Sequence, residues 1–303
     1  KPKVDLSKYK IGDYVNYKYD VVSSGYETKS EENGYGNQTI GQSTETLKWR
    51  ILNIDEAKGT VDLVSAVPTS NTVRFQGILG YNNGPYVMNK ICEALYSNNS
   101  RGIKARSIDW LDMEKHLTAA GIAARNAYKY KSDTAKYGTT KTYASNTKYP
   151  SLYVGQKGAG VNVAEANAST IAQPDTTKGN DPYEESKPIA KTEPTTDNTS
   201  GTGNPLTVTQ TYYNIPISTA NYGDAATVLS NSNYFWVASR CVGTDSDIAG
   251  FGLRIADAVT GGYGVFGSGG NIDSYYYRLR PVVSLPSSLL TGEQTNGAWN
   301  LSK

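Results

Sequence analysis

The side chains best equipped for covalent or acid–base chemistry are scarce in this chain. It holds one histidine, His116, and two cysteines, Cys92 and Cys241, in 303 residues. A zinc site needs several such ligands at fixed spacing, and a nucleophilic triad needs a Ser or Cys beside a positioned His. Neither can be assembled, and no nucleophile-elbow motif supports a serine hydrolase. His116 falls near the end of an expected helix, where a positive side chain suits the helix dipole without any catalytic role. The glycine clusters Gly158-Ala159-Gly160 and Gly267-Ser268-Gly269-Gly270 lack the Lys-Ser/Thr ending of a phosphate loop and read as turns. Asp245, Asp247 and Asp273 offer oxygen ligands but not the spaced acidic loop with a terminal Glu that calcium uses. No cofactor and no metal are expected. The flanks of Cys92 and Cys241 both read as ordered elements, which makes the pair a disulfide candidate, with two buried free thiols as the alternative.

What the chain has in quantity is tyrosine, 24 residues of it, in text rich in Gly, Ser, Thr and Asn. Tyrosine is a recognition side chain: a large, rigid, amphipathic contact at low entropic cost. The formal charge of +2 comes from scattered Lys and Arg, not from a basic stripe, so nucleic acid is not an expected partner. No apolar run approaches the length of a membrane span. The polar opening Lys1-Pro2-Lys3-Val4-Asp5, without Met, reads as a mature or trimmed product from which any signal peptide or anchor has been removed.

These residues must be held by elements that the pattern places in order. Tyr9 to Tyr17 alternates apolar and polar residues, a half-buried strand. Leu47–Ile54 and Thr60–Ser65 flank turn text at Asp55–Gly59 and read as a hairpin. Val87, Ile91, Ala94 and Leu95 recur at helical spacing after Pro85, predicting a helix from about residue 85 to Ser97. Ser107 to Leu117 carries acids early and bases late, predicting a second amphipathic helix capped by Ser107. Residues 129–205 form an irregular insertion whose core, 176–203, is too polar to fold alone and reads as a loop in preference to a linker. Leu206–Tyr213 alternates again, and a short helix is expected over Asp224–Leu229.

The final stretch is the most informative. Tyr234–Arg240, Phe251–Arg254, Tyr263–Phe266 and Arg278–Leu285 read as short strands joined by Gly, Asp, Ser and Asn. Such an antiparallel, loop-rich module displays side chains from a fixed frame.

The pattern Trp236-Val237-Ala238-Ser239-Arg240, Phe251-Gly252-Leu253-Arg254 and Leu279-Arg280-Pro281-Val282-Val283-Ser284-Leu285 resembles the C-terminal module of bacterial proteins with the C-type lectin fold. The relatives are the variable proteins of diversity-generating retroelements and the prepilin-type surface proteins of gut Firmicutes. The N-terminal text resembles the prepilin-type proteins more loosely, through Ile11–Val15, Leu47–Leu52 and Ala123–Asn126. The resemblance implies an α+β chain with a C-type-lectin-like C-terminus, short antiparallel strands, two helices and long loops. Residues 1–128 would form the N-terminal part of that unit, 129–205 the insertion, and 206–303 the candidate variable module, its lectin-like part ending near Leu285. Trp236, Phe251, Leu253, Arg254, Phe266, Arg278, Leu279, Arg280 and Pro281 would be scaffold. Thr244, Asp245, Asp247, Ile248, Ile255, Asp257, Val259, Tyr263, Asp273, Tyr275 and Tyr276 would be displayed to the ligand.

Adenine mutagenesis of Asn or Tyr codons that end in a pyrimidine never yields Lys, Glu, Gln, Met or Trp. None of those types occurs between Val237 and Gly292, although the chain holds 46 of them. The implied function is extracellular or cell-surface binding of a protein or glycan ligand, adhesin-like and non-enzymatic. A structural pilin-like subunit is the alternative. A third reading is an enzyme of the formylglycine-generating superfamily, which shares the fold and works through cysteine thiols.

Overall fold

The computed structural model describes residues 5–131, 135–143, 206–268 and 271–302. The insertion expected over 129–205 falls largely outside the described residues, as do the glycines at 158, 160, 269 and 270.

The first part of the chain runs β1 (Tyr14–Val15), β2 (Tyr26–Thr28), α1 (Ser30–Asn33), β3 (Gln38–Ile40), β4 (Trp49–Asp55), β5 (Thr60–Ser65) and β6 (Thr72–Gln76). It continues with the long helix α2 (Gly77–Tyr96), then β7 (Ala105–Ser107), α3 (Trp110–Glu114), α4 (Ala119–Ala127) and β8 (Thr140–Tyr143). After the insertion come β9 (Leu206–Thr209) and two single-turn helices at Thr219–Tyr222 and Ala226–Leu229. The final strands are β10 (Phe235–Thr244), β11 (Ala249–Ala256), β12 (Thr260–Gly267), β13 (Ser274–Arg278), β14 (Pro281–Pro286), β15 (Leu290–Thr295) and β16 (Ala298–Leu301).

The fold is mixed helix and sheet. Seven strands form one sheet in the order β15-β16-β1-β4-β5-β14-β7, and five form a second in the order β12-β11-β10-β13-β6. Early and late strands interleave: β14 lies between β5 and β7, and β13 lies beside β6. Helix α2 buries Val87, Met88, Ile91 and Leu95 against Val73, Phe75, Trp236 and Leu253 of the second sheet and Val283 and Leu285 of the first. That shared apolar cluster ties the two sheets to one helix.

The helix starts earlier than the sequence predicts. Pro85 is interior to α2, where it supplies no N–H to the Tyr81 carbonyl four residues back. The fold replaces that donor from outside the helix. Arg240 of β10 is fully buried; its Nε donates to the Tyr81 oxygen at 2.8 Å and its Nη2 to the Asn82 oxygen. At the same turn Gly84 lies so near Leu253 that an added Cβ would sit 2.6 Å from Leu253 Cδ1.

This contact also excludes the candidate disulfide. Cys92 and Cys241 are both buried and free. Successive strand residues point to opposite faces, so Arg240, aimed at α2, leaves Cys241 aimed away from it. Cys241 Sγ instead lies against Gly262 of β12, where an added Cβ would stand 2.6 Å away, while Cys92 is buried in the cluster around α2.

Other boundaries shift for local reasons. The expected strand at Tyr9–Tyr17 contracts to β1 because Asp13 N–H turns back to the Lys10 oxygen and Gly12 takes a φ of 96°. The hairpin forms as β4 and β5, with Gly59 at φ 66° closing the turn. The expected helix at Ser107–Leu117 shortens to α3, capped by Asp109 through the Asp112 N–H, with Ser107 in β7; a further helix the sequence did not suggest, α4, follows, capped by Thr118 through the Gly121 N–H. His116 therefore sits in the turn between two short helices, and more than two helices are present. The expected single strand Arg278–Leu285 turns a corner, with β13 in one sheet and β14 in the other. Arg280 at that corner is 0% exposed and donates to the carbonyls of Ser65, Ala66, Val228 and Leu229.

The chain does not finish its ordered course near Leu285. Strand β16 pairs in parallel with β1, Tyr14 beside Ala298 and Val15 beside Trp299. Trp299 Nε1 donates to Asp13 Oδ2 at 2.9 Å, and the Asn16 N–H donates to the Trp299 oxygen at 2.8 Å.

Candidate functional site

The second sheet carries a cluster of tyrosines around one junction. Tyr275 and Tyr277 alternate with Tyr276 along β13, so the first two share a face and the third points the other way. Tyr263 of β12 stacks on Tyr275 at 4.4 Å between centroids and on Tyr277 at 5.5 Å. Tyr277 in turn contacts the buried Trp236 at 4.9 Å and Tyr234 at 5.6 Å. The cluster is anchored from beneath, where Trp236 Nε1 donates to the Val73 oxygen at 2.9 Å. On the opposite face of β13, Arg74 lies between two rings, 4.5 Å from Tyr35 and 4.6 Å from Tyr276.

Between β13 and the residues leading into β10 lies a cavity of about 370 Å³ lined by Thr72, Asn233, Tyr234 and Ser274–Arg278. Tyr234, just before β10, and Tyr276, on β13, are 43% and 56% exposed, high values for rings of this size. The cavity joins apolar ring faces to phenol, amide and hydroxyl groups, the mixture that fixes and orients a ligand. Its single charged lining residue is Arg278. The Arg278 Nη1 donates to the Thr69 and Ser70 carbonyls at 2.9 and 3.3 Å, which leaves the rest of the guanidinium without a partner among the described residues.

Electrostatics keep the phenols neutral. Burial pushes Tyr277 far up, reinforced by its hydrogen bond with Tyr263. Burial and Asp273 raise Tyr275. Asp257 is the main cause of the raised value at Tyr234. These rings act as hydrogen-bond donors and acceptors at neutral pH.

The residues expected to be displayed divide three ways. Tyr263 and Tyr275 belong to the tyrosine cluster, with Asp257 and Asp273 within electrostatic reach of it, and Tyr276 lies on the opposite face of β13 against Arg74, lining the cavity. Thr244, Asp245, Asp247 and Ile248 sit at the β10–β11 turn and are mostly fastened. Thr244 is fully buried, its N–H and hydroxyl both donating to Gln210 Oε1. The Asp245 carboxylate pairs with Lys131 at 3.1 Å and its carbonyl accepts from the Tyr143 hydroxyl at 3.0 Å. Ile248 is half-buried and only Asp247 is exposed. Ile255 lies in the core and Val259 is half-buried in a bridge to Pro216. Of the expected scaffold, Arg278 lines the cavity instead of being purely internal.

Comparison with family models, with curated proteins and with solved structures finds no match. The site therefore rests on its own geometry.

Tyr234, Tyr277 and Asn233 were missed in the displayed set. Alternation carried the signal: Tyr277 stands two residues from Tyr275 and Tyr234 two residues from Trp236, so each shares a face with a residue already singled out. A larger cavity of about 480 Å³ lies by β1, β4 and β16, lined among others by Tyr14, Tyr17, Lys18, Lys48 and Trp49. It holds none of the expected ligand-binding residues.

The groups able to do covalent chemistry are withdrawn. Burial raises the Cys92 thiol far up and Cys241 to about 11, which suppresses the thiolate that a nucleophile requires. Burial, with Lys115 beside it, drives His116 down to about 4. Among the described residues no group of His, Cys, Asp and Glu could hold a metal ion, and no helix is long and apolar enough to cross a membrane.

Proposed function

We propose that this chain is a secreted or surface-displayed, non-enzymatic binding protein that presents its tyrosine face to a protein or glycan ligand. The observation that carries the reading is the cavity walled by Tyr234 and Tyr276, with Tyr263, Tyr275 and Tyr277 stacked behind it on strands anchored to the core. Rigid aromatic anchors beside adaptable polar groups make a paratope-like surface. The suppressed thiols weigh against a cysteine enzyme of the formylglycine-generating superfamily.

The finer reading is a C-type-lectin-like scaffold whose C-terminal region is diversified by a retroelement. It is supported by the pattern of anchors at Trp236, Leu253 and Arg280 and by the absence of Lys, Glu, Gln, Met and Trp between Val237 and Gly292. A pilin-like structural subunit is the second reading, favoured by the parallel clamp of β1 on β16.

Immobilised protein exposed to a glycan array and to a panel of intact cells tests the binding face. Binding is expected to fall about tenfold or more in a Tyr234→Ala/Tyr276→Ala double variant with an unchanged melting curve, as loss of aromatic hot spots does. Undiminished binding by that variant sinks the assignment of the face. Sequencing the gene neighbourhood tests diversification: a reverse transcriptase with a near-copy of the codons for 240–285, differing only at adenines, is the expected finding. Absence of both sinks that mechanism alone.

A further inference from the structure

The ladder between β13 and β6 fixes where each backbone group of β13 points. Arg74 of β6 uses its own N–H and carbonyl on the Gln38 side chain, at 2.8 and 2.9 Å, on the edge away from β13. Tyr276, opposite Arg74, is therefore in a pair that exchanges no backbone hydrogen bonds, and its N–H and C=O point away from β6. The Gly77 N–H donating to the Asp273 oxygen confirms the alternation at the far end. By the same period of two, Ser274 and Arg278 also turn their polar groups outward.

On that outward side the neighbour is β10, but it meets β13 at a single bridge, Phe235 beside Arg278. Beyond the bridge the chains diverge, because the Asn231 N–H is drawn to the Asp257 oxygen at 3.0 Å. The result is a notch, not a closed ladder. Its floor is the Ser274–Tyr276 backbone edge, its walls are Tyr276 and Tyr234, and Arg278 stands where the strands join. Among the described residues nothing pairs with the Tyr276 N–H or C=O.

We propose that this notch binds an extended, acidic peptide segment, which adds as a short strand to the open edge of β13. The proposal rests on the tyrosine face being a ligand-binding surface and names the ligand class for it. An unpaired donor and acceptor at strand spacing match a peptide backbone, whereas a sugar presents no such repeat. Rings on either wall receive alternate side chains. The Arg278 guanidinium, the only charged group lining the notch and not paired with a carboxylate, selects an acidic residue at the closed end.

The experiment pans a displayed library of random linear peptides against the intact protein, alongside the glycan array. The expected result is enrichment of linear peptides containing Asp or Glu. The best synthetic peptide should lose about tenfold in affinity when its backbone is N-methylated at one position. Tyr276→Pro should abolish its binding. Proline there removes an N–H that β6 does not use and fills the notch, so the ladder with β6 survives. Tyr276→Ala, which keeps the N–H, should retain part of the affinity; both variants are checked by near-UV circular dichroism.

Glycan or cell binding that needs Tyr234 and Tyr276, with no peptide enriched, overturns the peptide proposal and leaves the binding face standing. Peptide binding indifferent to N-methylation and to Tyr276→Pro also overturns it. A concentration-dependent dimer abolished by Tyr276→Pro gives the notch to a second copy and overturns it as well.

Discussion

The two ends of the β10–β11 hairpin carry similar text and behave oppositely. At the turn, Thr244 and Asp245 are tied down by Gln210, Lys131 and Tyr143. At the other end, the Tyr234 and Tyr276 rings rest on Tyr277 and Arg74 yet stay 43% and 56% exposed, and the outward edge of β13 at Tyr276 has no strand beside it among the described residues. Polar and aromatic residue types alone do not distinguish display from fastening. What distinguishes them is whether the strand beyond supplies a partner: β8 and β9 cover one end, and β13 diverges from the other.

The strut between the ends is Arg240, and removing it should have the largest effect. Arg240→Leu removes the guanidinium donors from the Tyr81 and Asn82 carbonyls at the Pro85 turn, a loss of about 3 kcal/mol in urea denaturation. Adding Pro85→Ala should return part of that loss, since alanine restores an N–H for the Tyr81 oxygen; strict additivity in the double-mutant cycle would disprove the coupling. Gln210→Ala breaks the fastened end only. It removes the acceptor of the buried Thr244 N–H and should cost about 2 kcal/mol, leaving tyrosine-face binding within twofold.

A gentler probe is pH. His116 is held near 4 by the fold against an ordinary 6.5. Between those values the unfolded chain binds a proton that the native one refuses, so this contribution to stability falls as pH drops through the window and is constant above it. Lys115, Asp112 and Asp62 face the ring. The nearby buried Asp109, raised by burial and by Asp112, slopes the opposite way. The difference between wild type and His116→Gln isolates the histidine: the variant should lose less stability from pH 6.5 to 4.5, and identical profiles would refute the assignment. Smallest of all, Tyr276→Ala should move the melting free energy by no more than about 0.5 kcal/mol. A larger destabilisation would mean that the open end is structural.

Much of the frame was legible because local rules decide it. The β4–β5 hairpin follows from alternation and from Gly59, and the strands at Trp236, Phe251 and Tyr263 follow from aromatic runs between glycines. The Leu279-Arg280 corner was not legible, since an arginine facing four backbone carbonyls reads like any strand residue until those carbonyls are located. Nor was α2 before Pro85, because the donor replacing proline's missing N–H comes from Arg240, far away in sequence. In the site, ring identities were legible and partners were not: Thr244 looks displayed until Gln210 is placed beside it.

The parallel pairing of β1 with β16 bears on how the molecule carries load. The chain approaches Tyr14 from one end of this strand pair and leaves after Leu301 at the other. A pull along the chain from its two sides draws these strands past each other lengthwise. Their hydrogen bonds, with the Trp299–Asp13 and Asn16–Asn300 links beside them, are then strained together and must fail together. Tension applied through the chain is thereby met at the seam between its first and last strands.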